Sequence, residues 1–69
     1  MIEQKSFAIY TFGEAIENLK CGYDIERGDL RLRLLDNTIM MVIGKEILAP
    51  WLATHKDILA KDWRVIRFE

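Results

Sequence analysis

Hydrophobic residues recur at helical spacing near the start of the chain. Four of them fall at positions i, i+3, i+4 and i+7: Phe12, Ala15, Ile16 and Leu19. Thr11 precedes this run and Glu14 follows three residues later, the spacing of a capping box in which each side chain bonds the other's backbone amide. Gly22 supplies the stop, because glycine takes the left-handed conformation past a helix end at little cost. We therefore predict a ten-residue helix over residues 12–21.

After Gly22 the pattern changes to an alternation of period two, which is typical of strands. The predicted strands are residues 23–27, 30–34, 38–43 and a short segment 46–49, joined by turns at Gly28-Asp29, Asp36-Asn37 and Gly44-Lys45. Gly28 comes first in its turn, as a type II′ hairpin prefers. Pro50 has no amide hydrogen, so we expect it to interrupt the ladder of the last of these strands.

A second helix start follows at Thr54, with Asp57 near the positive end of its dipole and about two turns running to Ala60. Residues 63–68 form a last predicted strand. The predicted fold is α+β: an N-terminal helix packed on an antiparallel meander sheet of about five strands, with a short second helix before the last strand. We expect residues 1–69 to form one domain, with 1–10 as an N-terminal arm or short strand and 11–69 as the folded core.

The strand over residues 38–43 has no polar face. If Ile39, Met41 and Ile43 pack under the helix, Met40 and Val42 point out of the other side of the sheet. Several such groups form a patch too apolar for a soluble monomer, and a second subunit is the simplest cover. The alternative is that Met40 is an isolated surface methionine, which is common.

The size of the chain also favours an oligomer. A chain of 69 residues buries only about 60% of its unfolded surface, so small domains usually need a disulfide, a metal or a partner subunit. The chain has one cysteine, Cys21, and one histidine, His55. It therefore cannot form an internal disulfide, and we do not expect a Cys/His metal site within one chain. Of these three sources of stability, association with a partner subunit is the one that remains.

Charge and hydropathy limit the partners and the compartment. With 51% hydrophobic and 30% charged residues and a net charge of −1, the chain is globular and lacks the basic balance of a DNA or RNA polymer binder. The N-terminus lacks a signal-peptide pattern, and no apolar run approaches the roughly 20 residues of a membrane span. These features predict a cytosolic protein without a membrane partner, with Cys21 reduced.

Residues suited to catalysis are few. Ser6, Cys21 and His55 fall in an arm, at a helix end and at a helix start, which does not suggest a triad. Asp57 and Asp62 could be paired carboxylates, although helix capping and the end of the second helix account for them. We therefore expect no enzyme activity, no cofactor and no metal site.

The remaining side chains suit a nucleotide. Five aromatic side chains offer faces on which a base can stack: Phe12, Tyr10, Tyr23, Trp51 and Trp63. Five arginines can fork onto phosphate oxygens: Arg27, Arg31, Arg33, Arg64 and Arg67. Trp63 is more often a core residue in such a position, and arginines on alternating strands usually form a solvated face. Composition alone does not choose between a small ligand and a protein partner.

Residues 51–63, WLATHKDILAKDW, resemble the W-x-[AP]-[ST]-x-x-D-[LIVM]-L-A-x-D-W motif of a family of small phage and prophage domains. The best-understood members are the second type of Thoeris anti-defence protein. The N-terminal F-x-E-A-x-x-x-L-x-x-G motif of that family is matched by residues 12–22. The two motifs bracket about fifty residues, essentially the whole predicted core.

The resemblance implies a homotetramer whose pockets between subunits sequester cyclic ADP-ribose isomers made by bacterial TIR-domain immune proteins. Some relatives are also expected to hold cyclic dinucleotides. The signal would be bound without cleavage, as by a sponge, in the cytoplasm of the bacterial host. By matched motif the ligand site comprises Trp51, Thr54, Asp57 and Asp62, with Phe12 and Arg27 as further candidates and Trp63 as a structural residue.

Two departures from the family pattern concern the ligand. Relatives have a tryptophan three residues after the arginine matched by Arg27, where this chain has Leu30. The segment before Trp51 is also shorter than in most relatives.

Two other functions stay open: an inhibitor that binds a host protein through the apolar sheet face around Met40 and Val42, and an enzyme that degrades the signal.

Overall fold

The computed structural model describes the backbone of residues 3–5, 8–44 and 47–68 and the side chains of residues 8–44 and 48–67. Its elements in chain order are β1 (Glu3–Lys5), α1 (Phe12–Lys20), β2 (Asp24–Arg27), β3 (Leu30–Leu35), β4 (Thr38–Ile43), β5 (Ile47–Pro50), α2 (His55–Leu59) and β6 (Arg64–Phe68). None of the helices in the described part of the chain is long and apolar enough to span a membrane.

The strands form one antiparallel sheet in the order β1-β6-β2-β3-β4-β5. The predicted α+β fold is confirmed, with the N-terminal helix on an antiparallel meander and the short helix before the last strand. The last strand does not extend the meander at β5. It returns to the middle of the sheet and pairs with β2 on one side and with β1 on the other.

The start of α1 is built as predicted. The Thr11 amide donates to Glu14 Oε1 at 2.9 Å, and the Glu14 amide donates to Thr11 Oγ1 at 3.3 Å, which completes the capping box. Ala15 and Leu19 are buried, and Phe12 and Ile16 pack against the same core. One helical face therefore lies on the sheet.

The helix ends one residue before the predicted position, because Cys21 is already the C-cap. Gly22 has a φ of +95°, the left-handed conformation that glycine adopts most easily. The Gly22 amide donates to the Leu19 carbonyl at 3.0 Å and the Tyr23 amide to the Asn18 carbonyl at 3.2 Å. These two bonds make a Schellman motif, which satisfies carbonyls that a helix end otherwise leaves without partners.

The hairpin turns follow the sequence signals. Gly28 has a φ of +59° and Asp29 is not among the positive-φ residues, as a type II′ turn requires. Asp36 and Asn37 have φ values of 49° and 62°, which fits a type I′ turn. Gly44 also has a positive φ, while residues 45 and 46, part of the predicted third turn and fourth strand, lie outside the described residues.

The core lies between α1 and the central strands. Its buried side chains are Ala15, Leu19, Ile25, Leu32, Trp63 and Val65. Ile39 and Met41 pack against it as predicted. The prediction for Ile43 is wrong: it is 47% exposed, because α1 lies over β2, β3 and β6 and leaves the far end of β4 uncovered.

The other face of the sheet carries the alternate residues. Met40 lies opposite Arg33 in the ladder and Val42 lies opposite Leu48. These residues alternate with Ile39 and Met41, so they lie on the face away from α1, where Met40 and Val42 are half-buried.

Several predicted boundaries shift. Pro50 is the last residue of β5, opposite Met40, so the prediction that it interrupts the ladder is wrong. An edge strand tolerates proline, and the next ladder bond runs from the Trp51 amide to the Ile39 carbonyl at 3.1 Å. The second helix is shorter than two turns because Ala60 is already its extended C-cap. Trp63 precedes β6 and pairs with Tyr10 in an isolated bridge.

Candidate functional site

Three aromatic rings meet above the sheet where α1 begins. Phe12 starts the helix, Trp51 follows β5 and Trp63 precedes β6. The ring centroids of Phe12 lie 5.9 Å from Trp51 and 5.6 Å from Trp63, and the two indoles meet edge-on at 6.4 Å. Trp63 is fully buried, as expected of a structural residue, whereas Phe12 and Trp51 are half-buried. Of the three rings, Phe12 and Trp51 are therefore the ones that keep accessible surface.

Arg27 holds two carboxylates beside this aromatic group. It ends β2 and alternates with the buried Ile25, so its side chain lies on the face that α1 covers. Its Nε donates to Asp62 Oδ1 at 2.7 Å and its Nη1 donates to Asp57 Oδ1 at 3.3 Å. The guanidinium thus joins the β2–β3 hairpin to the segment that contains α2.

Asp57 connects the polar and aromatic parts. Thr54 caps α2: its hydroxyl accepts from the Asp57 amide at 3.3 Å and donates to Asp57 Oδ2 at 2.7 Å. The indole Nε1 of Trp63 donates to the backbone carbonyl of Asp57 at 2.9 Å. We call the connected set the Arg27 site; its members are Phe12, Arg27, Trp51, Thr54, Asp57, Asp62 and Trp63.

The structure brings together all six residues that the sequence proposed for ligand binding. Among the described residues, their side-chain hydrogen bonds stay within the site: Asp57 uses both oxygens, on Arg27 and Thr54, and Asp62 uses one on Arg27. Sequence reasoning expected Arg27 to fork onto phosphate, and in this structure it forks onto two carboxylates instead. Ligand contact by these residues stays a prediction.

The charges of the Arg27 site are unequal, with two carboxylates around one guanidinium. The hydrogen bond to Asp62 raises the pKa of Arg27 above its usual value, with desolvation opposing and the charges of Asp62 and Asp57 adding to the rise. Arg27 is therefore a permanent cation. Its side chain is 33% exposed, against 15% for Asp57 and 62% for Asp62.

A second charged cluster lies on the opposite face of the sheet, and sequence reasoning missed it. Asp24 is only 1% exposed. It accepts from Arg31 Nε at 2.8 Å and from Arg33 Nε and Nη2 at 3.0 and 2.9 Å. The signal was available: a two-residue turn at Gly28-Asp29 sets a register in which Asp24 lies opposite Arg33.

Two further surface features surround α2 and α1. Leu52, Ile58 and Leu59, in and before α2, are 86%, 43% and 76% exposed. An open cleft of about 240 Å³ lies between α1 and the β3–β4 hairpin. It is lined by Ile16, Leu19, Lys20, Leu34, Asn37 and Ile39.

Groups for metal binding do not assemble among the described residues. Cys21 is exposed at the end of α1, and His55 is exposed at the start of α2. Within residues whose placement the structure gives, no three side chains of His, Cys, Asp or Glu converge on a point that could hold a metal. Comparison of the chain with protein-family models, with curated proteins and with solved structures gave no match.

Proposed function

We propose that the protein is a phage or prophage anti-defence sponge. It binds a nucleotide immune signal in the host bacterial cytoplasm and sequesters it without cleavage. The ligand class is a cyclic ADP-ribose isomer, with cyclic dinucleotides as a second class. The observation that carries the proposal is the convergence of aromatic rings, one arginine, a threonine and two aspartates in the Arg27 site.

The Arg27 site offers a group for each part of such a ligand. Trp51 and Phe12 keep accessible aromatic surface for a base, whose stacking is worth about 1–3 kcal/mol in nucleic-acid systems. The guanidinium of Arg27 matches the geometry of phosphate oxygens. Asp62 is 62% exposed, and its carboxylate can accept from ribose hydroxyls.

We further propose that the working form is a homotetramer. The face away from α1 carries the half-buried Met40 and Val42. Leu52 and Leu59 add strongly exposed apolar surface beside the Arg27 site. A second subunit on these surfaces would remove them from water and enclose the ligand.

The test combines melting with recovery of the ligand. The purified protein is melted with cyclic ADP-ribose isomers and cyclic dinucleotides at about 100-fold above a micromolar Kd, where binding adds about 2.7 kcal/mol. We expect a higher melting temperature, and release of unchanged ligand on heating. The variant Trp51→Ala should lose the shift, while Ile43→Ala, a change at the 47% exposed far end of β4, should keep it.

Other results would redirect the proposal. Absence of a shift across the panel contradicts sequestration of those signals, and recovery of cleaved product indicates an enzyme. Light scattering gives the mass: a tetramer has four times the 8.1 kDa of the chain, and a monomer at working concentration contradicts the assembly.

The alternative function is inhibition of a host protein through an apolar surface. The exposure of Leu52 and Leu59 favours it. It predicts a monomer or dimer that captures one defined host protein, with capture lost in Met40→Ser or Leu59→Ser and unaffected by Trp51→Ala.

A further inference from the structure

The two carboxylates on Arg27 are held very differently. Asp57 is 15% exposed, and its position is fixed by Thr54, by the Trp63 indole on its carbonyl and by Arg27. Asp62 is 62% exposed and is bonded in the described part of the chain only to Arg27. One carboxylate is part of the framework, and the other is a surface group resting on the same guanidinium.

The more exposed partner holds the better donor position. Arg27 gives Asp62 a 2.7 Å bond from Nε, whereas its bond to Asp57 is 3.3 Å. Ion pairs at such exposure contribute little to stability, because the attraction is weak in a high dielectric and fixing two side chains costs entropy. An incoming anion can therefore take the place of Asp62 without disturbing Asp57.

Arginine is also suited to the exchange. Its planar fork binds phosphate as well as carboxylate, and two parallel N–H donors fit two oxygens of one phosphate. Asp57 at Nη1 would keep the guanidinium plane oriented while the Nε edge changes partner. A ligand with more than one negative charge has the advantage, since it must outcompete a carboxylate that is already attached to the chain.

We propose that Asp62 is an internal competitor for Arg27, displaced when a phosphate-bearing ligand binds, and that it thereby selects for multiply charged phosphates. The proposal deepens the proposed function and rests on it for the identity of the natural ligand. It differs from the motif-based expectation, in which Asp62 contacts the ligand directly. Here Asp62 acts through Arg27, and its removal strengthens the binding of a phosphate group to Arg27.

The test uses pyrophosphate as the probe, measured by calorimetry on the whole protein. Asp62→Asn should bind pyrophosphate about fivefold more tightly, the ratio that about 1 kcal/mol gives at 25 °C. Asp62→Glu restores the carboxylate and should bind as the unaltered protein does. Asp36→Asn makes the same charge change at the exposed β3–β4 turn, at the opposite end of β3 from Arg27, and should change affinity by less than about twofold, since distant surface charges are screened. Arg27→Gln should abolish binding.

A second readout reports the exchange itself. The Nε–H resonance of Arg27 should shift when pyrophosphate is added to the unaltered protein, and should already be shifted in Asp62→Asn before addition. A purely structural role for Asp62 would alter the melting temperature but leave the Nε–H resonance of the unaltered protein unmoved by pyrophosphate.

The outcomes separate the two proposals. If nucleotides bind but Asp62→Asn binds pyrophosphate no better than Asp36→Asn, the proposal that Asp62 competes for Arg27 is refuted, and the proposed sequestration of nucleotides is unaffected. If Asp62→Asn tightens pyrophosphate binding while no cyclic nucleotide binds, the result supports competition of Asp62 for Arg27 and refutes sequestration of nucleotide signals. If no protein in the set binds pyrophosphate at millimolar concentration, the competitor is refuted whatever the nucleotides do.

Discussion

Replacement of Asp24 by asparagine removes the charge at the centre of the sheet face away from α1. The carboxylate is 1% exposed and accepts three hydrogen bonds from Arg31 and Arg33, at 2.8, 3.0 and 2.9 Å. An asparagine of the same shape can accept through one oxygen only, and its NH₂ group faces guanidinium donors. The variant therefore loses the charge and gains a donor-to-donor clash.

The magnitude follows from the unequal exposure of the partners. Removing one member of a buried ion pair usually costs about 3–5 kcal/mol, because the other charge is left buried. Here the Arg31 and Arg33 side chains are 24% and 39% exposed, so water can compensate them in part. We expect the free energy of unfolding to fall by about 3 kcal/mol, at the lower end of the range for a buried pair.

Such a loss is large for this chain. At about 0.05–0.15 kcal/mol per residue, a domain of this size has a free energy of unfolding of roughly 3–10 kcal/mol. At about 4–8 °C per kcal/mol for small domains, the melting temperature should fall by about 20 °C. Urea titration and thermal melting, at one fixed protein concentration because an oligomer's stability depends on it, give both quantities.

Two controls isolate the buried contact. Asp29→Asn makes the same chemical change at an exposed turn residue and should stay within about 0.5 kcal/mol of the unaltered protein. Combining Asp24→Asn with Arg33→Gln should lose less than the sum of the two single changes, since both remove one interaction. A loss below about 0.5 kcal/mol for Asp24→Asn, or strict additivity in the pair, would refute the account of Asp24 as the buried centre of the cluster.

Three further predictions address the helix, a turn and the surface. The Thr11 backbone and side-chain hydrogen bonds lower the pKa of Glu14 from its ordinary 4.5. The stabilisation that Glu14 gives the fold is therefore present above pH 4.5 and is lost as the pH falls through the lowered pKa of the folded state. Melts from pH 6 to 3 should show a shallower acid decline in Glu14→Gln, and an unchanged slope contradicts this. Gly28→Ala should lose about 1 kcal/mol in urea titration because of its positive φ, whereas Gly13→Ala in α1 should gain up to about 1 kcal/mol; equal effects would contradict the turn assignment. Leu59→Ser should leave the stability of each chain within about 0.5 kcal/mol and lower the sedimentation mass if this 76% exposed side chain lies in the interface.

Local signals were sufficient for most of the fold. The capping box at Thr11 and the glycine at position 22 fixed the ends of α1 to within one residue. The turns at Gly28-Asp29 and Asp36-Asn37 set the registers of the β2–β3 and β3–β4 pairs, because a two-residue turn leaves little choice of pairing. Each of these features depends on residues close together in sequence.

The position of β6 had no such signal. Its pairing with β2 joins segments about forty residues apart, such as Ile25 opposite Val65, and its pairing with β1 joins segments more than sixty residues apart. The burial of Asp24 follows from the pairing with β2, because Ile66 lies beside it on the far face. Alternation alone places Asp24 on the same face as Glu26, and alternation cannot report what covers that face.

For the candidate site, the sequence analysis predicted which residues belong to it, and the structure shows how they contact one another. The motif resemblance selected Trp51, Thr54, Asp57 and Asp62. In the fold, the two aspartates bond Arg27, Thr54 bonds Asp57, and Trp51 packs on Phe12. The hydrogen bonds to Arg27 span thirty and thirty-five positions, so no spacing rule along the chain announces them. Their existence changes the interpretation of Arg27 from an open phosphate fork to one that is already engaged.

The same bonds hold α2 in place, which constrains how the site can work. No residue of α2 is buried, so apolar packing does little to fix it, and segments with few buried contacts open at low free energy. Besides its contacts with α1, two described side-chain hydrogen bonds tether it: the Trp63 indole donates to the Asp57 carbonyl, and Arg27 donates to the Asp57 carboxylate. A ligand that displaced Asp57 would loosen α2 and lose the surface beside it. A ligand that displaces Asp62 leaves both tethers intact, because Asp62 lies beyond the end of α2 and is bound through Nε alone. When the ligand replaces Asp62, Arg27 can therefore bind the ligand and keep its bond to Asp57 at the same time.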